Sequence, residues 1–280
     1  MVQIISIHDA DDKCIAGFRN LNDAEKRRDH KGPDGIVIGE GSLVIDRMLQ
    51  SYCPPTQFLG TEQGLQRLEA MPDYSTLDPH TPFYLASEAT ISACVGFAFN
   101  RHIFALAPRP VPRTVEEVLA PGPHTIVALE GLNDHANIGS IFRNAAALGI
   151  GGVLMGGGCA DPLYRRSVRV SMGHVLRLPF AMCEGNFTTW QKPAFAQLRA
   201  AGYTIVALTP AADAELLSNA AHFDKVAFLV GAEGPGLRPK TMAMADVRAQ
   251  IPMAAGVDSL NVATSAAVAF YERIRGLALA

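Results

Sequence analysis

The sequence predicts a two-domain α/β protein, and three observations support this. Its 280 residues are close to the length of two average domains. The composition, 49% hydrophobic and 18% charged, provides enough apolar surface for a large core. Short apolar runs alternate along the chain with stretches of helical periodicity, which is typical of strands and helices packed in layers.

The first half predicts a small α/β domain over residues 1–107. Ser42 and Thr61 stand at the starts of two helical patterns and are expected to be their N-caps. Residues 23–31 mix acidic with basic side chains and indicate a salt-bridged helix. The strands are expected in the runs VQIISI, GIVIGE, TQFLG, PFYLA and HIFALA, and the helices in SLVIDRMLQSY and TEQGLQRLEAM.

A proline-rich segment at residues 108–123 predicts a linker, with TVEEVLA as a short helix inside it. The second domain is expected over residues 124–280. Its strand candidates are apolar on both faces, as in a parallel sheet covered by helices. They are HTIVALE, GGVLM, VLRLPF, YTIVAL, KVAFLV and VRAQIPM, and helices are expected at 138–148, 190–201 and 260–274.

Charge and composition exclude several classes of protein. The formal net charge of −3 argues against a globally basic nucleic-acid binder. The five cysteines form no CxxC pair and the histidines show no ligand spacing, so neither a disulfide framework nor a metal site is expected. The chain start lacks the pattern of a secretory signal and no run predicts a membrane helix, so the expected location is the cytoplasm.

Two motifs of the second domain each have two interpretations. Residues 137–149, NIGSIFRNAAALG, form either an ordinary helix with Asn137 as N-cap, Gly149 as C-terminal stop and Arg143 in solvent, or a helix that presents Asn137 and Arg143 to a ligand. Residues 231–240, GAEGPGLRPK, follow the strand run KVAFLV. They form either a tight turn with an incidental Glu233 or a loop whose glycines let a ligand approach the main chain.

The third motif is IPMAAGVDSLNVATSAAVAFYE at residues 251–272. Ser259 is either only the N-cap of the helix that follows, or one of two polar groups, with Asn261, at a helix N-terminus that suits a polar or anionic ligand. A separate glycine run at 156–158 lacks the dinucleotide-binding spacing and is expected to be a flexible loop.

Taken in order, these motifs resemble the three motifs of the SpoU (TrmH) family of RNA ribose methyltransferases, in the SPOUT superfamily. The resemblance covers residues from about 124 to 275. It implies S-adenosylmethionine as methyl donor, a deep trefoil knot in the second domain and a homodimer built on the helices of the first and third motifs. It also implies that the first domain binds the RNA substrate and is similar to certain ribosomal proteins.

The resemblance also implies which residues form the site. Arg143 is the central catalytic residue, either as base or activator of the ribose hydroxyl, or as a guanidinium that holds a phosphate or stabilises the oxyanion. Glu233 is expected to orient Arg143. Asn137, Ser259 and Asn261 complete the catalytic set, and the cofactor is expected to contact Leu208, Gly231, Ile251, Met253 and Leu260.

Four arginines are candidate RNA contacts. Arg165, Arg166 and Arg169 lie in a stretch without carboxylates, which is either a solvated helix face or a phosphate contact. Arg101 is a further candidate in the first domain. The expected reaction is 2′-O-methylation of rRNA, with tRNA less favoured. The alternatives are a non-enzymatic RNA-binding or ribosome-assembly factor on the same fold and an enzyme that methylates a base.

Overall fold

The computed structural model describes residues 2–22, 35–220 and 222–278, and the chain divides into two compact units. The first unit comprises Met1–Val111 and Leu163–Arg177, and the second comprises Pro112–Pro162 and Leu178–Ala280. The boundary at Val111 falls within the predicted linker. The charged stretch at 23–31 lies outside the described residues. Within the described ranges, no helix is long and apolar enough to cross a membrane.

The first unit contains a mixed five-stranded sheet in the order β1-β4-β3-β5-β2. Strands β1, β4 and β3 run parallel, and β5 pairs antiparallel with β3 and β2. All five predicted strand runs are confirmed. The strands are β1 (Gln3–Ser6), β2 (Ile36–Glu40), β3 (Gln57–Gly60), β4 (Pro82–Leu85) and β5 (Ile103–Pro108).

Helices also accompany this sheet, and the caps of the first three along the described chain only partly match the sequence predictions. These three are α1 (Ser42–Leu49), α2 (Glu62–Glu69) and α3 (Glu88–Val95). Thr61 caps α2 as predicted, since its side chain accepts from the Gly64 N–H at 3.3 Å. The prediction that Ser42 caps α1 is wrong: the N-cap is Gly41, at φ +87°, and Ser42 is the first helical residue.

The second unit contains a seven-stranded sheet in the order β10-β12-β9-β11-β6-β7-β8. All neighbouring strands are parallel, and the central ones are buried, so the prediction of a covered parallel sheet is confirmed. The strands are β6 (Thr125–Leu129), β7 (Val153–Met155), β8 (Phe180–Met182), β9 (Thr204–Leu208), β10 (Glu215–Leu216), β11 (Val226–Val230) and β12 (Val247–Gln250).

The helices of the second unit include the one expected inside the proline-rich segment. That helix, α4, has a full capping box between Thr114 and Glu117, and it buries Val115 and Val118 in the core of the second unit. It is therefore part of this unit and not a spacer. The helices are α4 (Val115–Leu119), α5 (His135–Ala147), α7 (Gln191–Ala200), α8 (Leu217–Ala220), α9 (Pro239–Met244) and α10 (Val262–Ala278).

The sequence predicts a strand over VLRLPF, residues 175–180, and this is wrong for every residue of the run except Phe180, where β8 begins. Residues Leu163–Arg177 belong to the first unit and form helix α6 (Arg165–Val170) and a 3-10 helix (His174–Leu176). The Tyr52 hydroxyl donates to the Val175 carbonyl at 2.7 Å, and Arg47 donates to the Met172 carbonyl at 2.5 Å. These partners are more than 120 residues away in sequence, so local periodicity carried no sign of them.

The glycine run at 156–158 forms a loop after β7, as the sequence predicts, but the neighbouring residues pack closely against it. A Cβ at Gly156 would lie 2.5 Å from the Leu129 carbonyl oxygen and 2.6 Å from the Trp190 ring. A Cβ at Gly157 would lie 2.5 Å from the Cα of Phe187. A side chain at either position would clash with these neighbours and separate the loop after β7 from the segment before α7. Glycine is therefore required here for close packing.

Candidate active site

The three motifs meet at one edge of the second sheet. Strands β12, β9, β11 and β6 are adjacent and parallel, so their carboxyl ends share this edge, where open α/β sheets bind ligands. The residues expected to bind the cofactor lie here: Leu208 ends β9, Gly231 follows β11, and Ile251 and Met253 follow β12. These four are partly exposed, and Leu260 is 41% exposed.

The second motif forms a tight loop that only glycine permits. A Cβ at Gly231 would lie 2.1 Å from the Leu237 nitrogen, and Gly234 and Gly236 have φ angles of +81° and +67°. The Gly236 N–H donates to the Ala232 carbonyl at 2.9 Å and closes the loop. Glu233 is thereby held exposed at its tip.

A chain of hydrogen bonds joins one residue from each motif. The Asn261 Oδ1 accepts from the Ala263 and Thr264 N–H groups, at 2.9 and 3.2 Å, and so caps α10. Its Nδ2 must then donate, and it reaches Asn137 Oδ1 at 2.9 Å and Glu233 Oε1 at 3.4 Å. Asn137 Nδ2 in turn donates to Glu233 Oε1. The backbone of α10 therefore fixes the direction of every bond, and all donors point towards Glu233.

The helix ends differ from the simpler interpretations of the motifs. Asp134, not Asn137, caps α5: its side chain accepts from the Ala136 N–H at 2.6 Å, which places Asn137 in the buried first turn. Asn261, not Ser259, caps α10, and Ser259 is exposed in the preceding loop. The prediction for Gly149 is confirmed, because it follows α5 with φ +67°.

Arg143 lies apart from this chain of hydrogen bonds. It is exposed on α5, six residues after Asn137, and it makes no hydrogen bond or ion pair with the described residues. The expected contact with Glu233 is not formed, since Glu233 is bound by Asn137 and Asn261. A rotation of about 100° per residue puts Arg143 and Asn137 on different faces of the helix.

Sequence reasoning missed Glu130, a carboxylate directly after β6 that is only 1% exposed. Its Oε2 accepts from Trp190 Nε1 and Gln191 Nε2, both at 2.9 Å, and from Thr241 Oγ1 at 2.5 Å. Arg238 binds it twice, through its backbone N–H at 2.8 Å and its guanidinium at 3.0 Å. Glu130 therefore fixes the end of the glycine loop. The available signal was a charged residue ending the apolar run HTIVALE.

Burial alone would raise the pKa of Glu130. The hydrogen bonds from Arg238, Thr241 and Gln191 outweigh that effect and lower the pKa below its ordinary value. The group is therefore a carboxylate at neutral pH.

Glu130→Gln is expected to lower the free energy of unfolding at pH 7 by about 3 kcal/mol, because the Arg238 guanidinium then lacks its carboxylate. Since folding lowers this pKa, the stabilisation is complete above the unfolded-state pKa of about 4.3 and is lost as pH falls through the folded-state value. Urea unfolding from pH 7 to 3 should show the gap between wild type and variant shrinking below about pH 4. Glu116→Gln, at an exposed position of α4, is the control and should change little. A gap that is constant with pH would contradict the role given to the carboxylate.

The sequence model of the SpoU rRNA Methylase family matches residues 124–271. The chain therefore belongs to the SpoU family of rRNA and tRNA methyltransferases.

Relatives and a solved structure match almost the whole chain. An uncharacterized tRNA/rRNA methyltransferase of Mycobacterium tuberculosis is 43% identical over 278 residues, which is 98% of this chain and 93% of the relative. A 23S rRNA guanosine-2′-O-methyltransferase of Ralstonia nicotianae is 27% identical over 94% of this chain and 95% of its own. The crystal structure of the AdoMet-bound rRNA methyltransferase from Sinorhizobium meliloti shares the fold, with a TM-score of 0.79 at 23% identity over 98% of both chains.

The arginines predicted to contact RNA lie in the first unit. Arg101, Arg165 and Arg169 gather around Glu40, whereas Arg166 is exposed. Residues 163–177 pack with the first unit, although they lie inside the span 124–271 that the family model matches. In the part of the chain that the structure describes, no three His, Cys, Asp or Glu side chains are grouped to hold a metal ion.

Proposed function

We propose that this protein transfers a methyl group from S-adenosylmethionine to a ribose 2′-hydroxyl of RNA, with rRNA as the favoured substrate. One observation carries the proposal: the hydrogen-bonded chain of Asn137, Glu233 and Asn261 joins the three motifs at the carboxyl edge of the sheet. The relative from Ralstonia nicotianae, named for 2′-O-methylation of 23S rRNA, supports both the ribose and the rRNA.

The residues at this edge fit S-adenosylmethionine. An adenosyl group needs apolar contacts and main-chain hydrogen bonds, and the partly exposed Leu208, Ile251 and Met253 stand beside the loops after β9 and β12. The AdoMet-bound structure with the same fold supports this assignment. Leu260 and Gly231 would complete the pocket. When bound, the sulfonium supplies an electrophilic methyl group.

The protein's own side chains would align and activate the ribose hydroxyl. Glu233 receives both amide donors on Oε1, which leaves Oε2 to accept a bond from the substrate. Arg143 would supply positive charge, because a guanidinium stays protonated and its donors stabilise the alkoxide that develops as the hydroxyl loses its proton. Ser259, exposed in the loop before α10, would contact the same nucleotide.

We further propose a homodimer and a knotted C-terminal region. Helix α10 exposes Tyr271, Ile274 and Leu277 by 60%, 38% and 47%, at spacings of three residues, which makes an apolar stripe suited to a second copy. Strand β12, the last in the chain, lies inside the sheet between β9 and β10 and not at its edge. That strand order supports a trefoil knot, one of the rare exceptions to unthreaded chains.

Methyl transfer from labelled S-adenosylmethionine to protein-free total rRNA and to tRNA tests this proposal. Label is expected in rRNA, within dinucleotides that resist alkaline hydrolysis, because a 2′-O-methyl group removes the nucleophile that cleaves the neighbouring phosphodiester. Label in a base would show that the proposed target atom is wrong. Label in neither RNA, with cofactor binding intact, would favour a non-enzymatic RNA-binding protein.

A further inference from the structure

Three arginines of the first unit converge on one buried carboxylate. Glu40 is 4% exposed and lies 2.8 Å from Arg165 Nη1, 3.2 Å from Arg101 Nε and 3.7 Å from Arg169 Nη1. Arg165 also lies 4.8 Å from the centre of the Phe97 ring, which further restricts its guanidinium. One carboxylate balances one of three positive charges, so the cluster keeps an excess of two.

Part of this excess charge faces solvent. The side chains of Arg101 and Arg169 are 50% and 37% exposed, whereas that of Arg165 is 12% exposed. Arginine guanidinium groups held at fixed positions suit an oxyanion, because their forked donors match its oxygens.

Helix α1 starts directly beside these arginines without a side-chain cap. Its N-cap is Gly41, and a Cβ there would lie 3.6 Å from Arg101 Cδ. The Ser42 hydroxyl is buried and has no hydrogen-bond partner among the described residues. A helix start leaves amide N–H groups without intrahelical partners, and a buried hydroxyl without a partner is costly. Both therefore point to a missing acceptor.

We propose that this site, Glu40–Ser42 with Arg101, Arg165 and Arg169, binds a backbone phosphate of the RNA substrate. A phosphate would accept from the first-turn N–H groups of α1 and from the exposed arginines, and rotation of the partly exposed Ser42 side chain would bring its hydroxyl to the same phosphate. Glu40 holds the arginines in place before RNA arrives, which reduces the entropy lost on binding. The proposal rests on RNA being the substrate, and it identifies the part of the first unit that holds it.

Ser42→Asp separates phosphate binding from folding. A carboxylate in the first turn suits the positive end of a helix, so the melting temperature should be kept or raised. The same carboxylate would repel a phosphate. We expect the affinity for protein-free 23S rRNA, measured by fluorescence anisotropy, to fall about tenfold, the equivalent of about one lost charge-assisted contact.

Arg101→Gln tests the charge itself. Each phosphate contact contributes about 0.7–0.9 to the slope of log affinity against log salt concentration. The variant should therefore flatten the slope by about 0.7–0.9 and weaken binding several-fold at low salt. Arg67→Gln, at an exposed arginine on α2 of the same unit, is the matched control and should leave the slope unchanged.

Unchanged rRNA affinity and slope in both Ser42→Asp and Arg101→Gln would overturn the proposal and leave a structural ion cluster. Cofactor affinity and methyl transfer are measured in parallel. If the enzyme is active and neither substitution changes its rRNA affinity or the salt dependence of that affinity, only the phosphate site is disproved. A protein that binds rRNA through this site but transfers no methyl group would disprove only the proposed function.

Discussion

Replacing Arg143 by alanine is expected to slow methyl transfer to RNA by about 10²–10³-fold, the usual effect of removing one group that stabilises a developing oxyanion. Affinity for S-adenosylmethionine should stay nearly unchanged, because the proposed cofactor contacts Leu208, Gly231 and Ile251 belong to the ends of β9, β11 and β12 and not to α5. Stability should also be kept, since the side chain is exposed and makes no hydrogen bond or ion pair with the described residues.

Single-turnover rates with rRNA and calorimetric titration of the cofactor would measure both quantities. Arg248→Ala is the matched control: it removes the same charge from an exposed ion pair with Asp213, at 2.7 Å, in the same unit. Arg143→Lys should recover part of the lost rate, because it keeps the positive charge but lacks the fork. A large loss of cofactor affinity in Arg143→Ala would contradict the assigned role.

Asn261→Asp should slow methyl transfer by about 10²-fold or more, because a misplaced polar group in an active site lowers transition-state stabilisation by that factor. The start of α10 should stay intact. The new carboxylate can still accept from the Ala263 and Thr264 N–H groups, and aspartate is as good an N-cap as asparagine. Its second oxygen, however, replaces the Nδ2 donor that reaches Asn137 Oδ1 and Glu233 Oε1. The amide of Asn137 could rotate so that its Nδ2 donates to residue 261. Its Oδ1 would then face the Glu233 carboxylate, and no hydrogen bond forms between two acceptors.

The loss of rate in Asn261→Asp, relative to wild type, should diminish as pH falls. Two neighbouring carboxylates disfavour each other's charge, which raises the pKa of one of them, and the protonated carboxyl group can again donate a hydrogen bond. Rates between pH 6 and 8 would show this trend. Asn261→Ser keeps a capping side chain without adding charge, so it separates the missing donor from the repulsion. Wild-type rates in Asn261→Asp would mean that the hydrogen-bonded chain does not position Glu233 for catalysis.

Much of the second unit could be predicted because its elements carry their own signals. Strands β6, β9 and β11 are apolar apart from Thr125 and Thr204, as expected of parallel strands covered by helices on both faces. The glycines of the second motif also signalled their backbone path, which the φ angles of Gly234 and Gly236 confirm. Helix caps were less predictable: both Asn137 and Ser259 were displaced as caps by a residue two or three positions away.

The sequence by itself determined the two α/β units, the parallel sheet and the family, because periodicity and ordered motifs are local properties of the chain. Tertiary structure alone decided that Glu130 holds Arg238, that Glu233 binds Asn137 and not Arg143, and that residues 163–177 join the first unit. It also placed three arginines around Glu40. Each of these contacts joins residues about 60 to 130 positions apart in the sequence. The partner of a buried charge depends on which groups folding brings next to it, so it cannot be predicted from the local sequence.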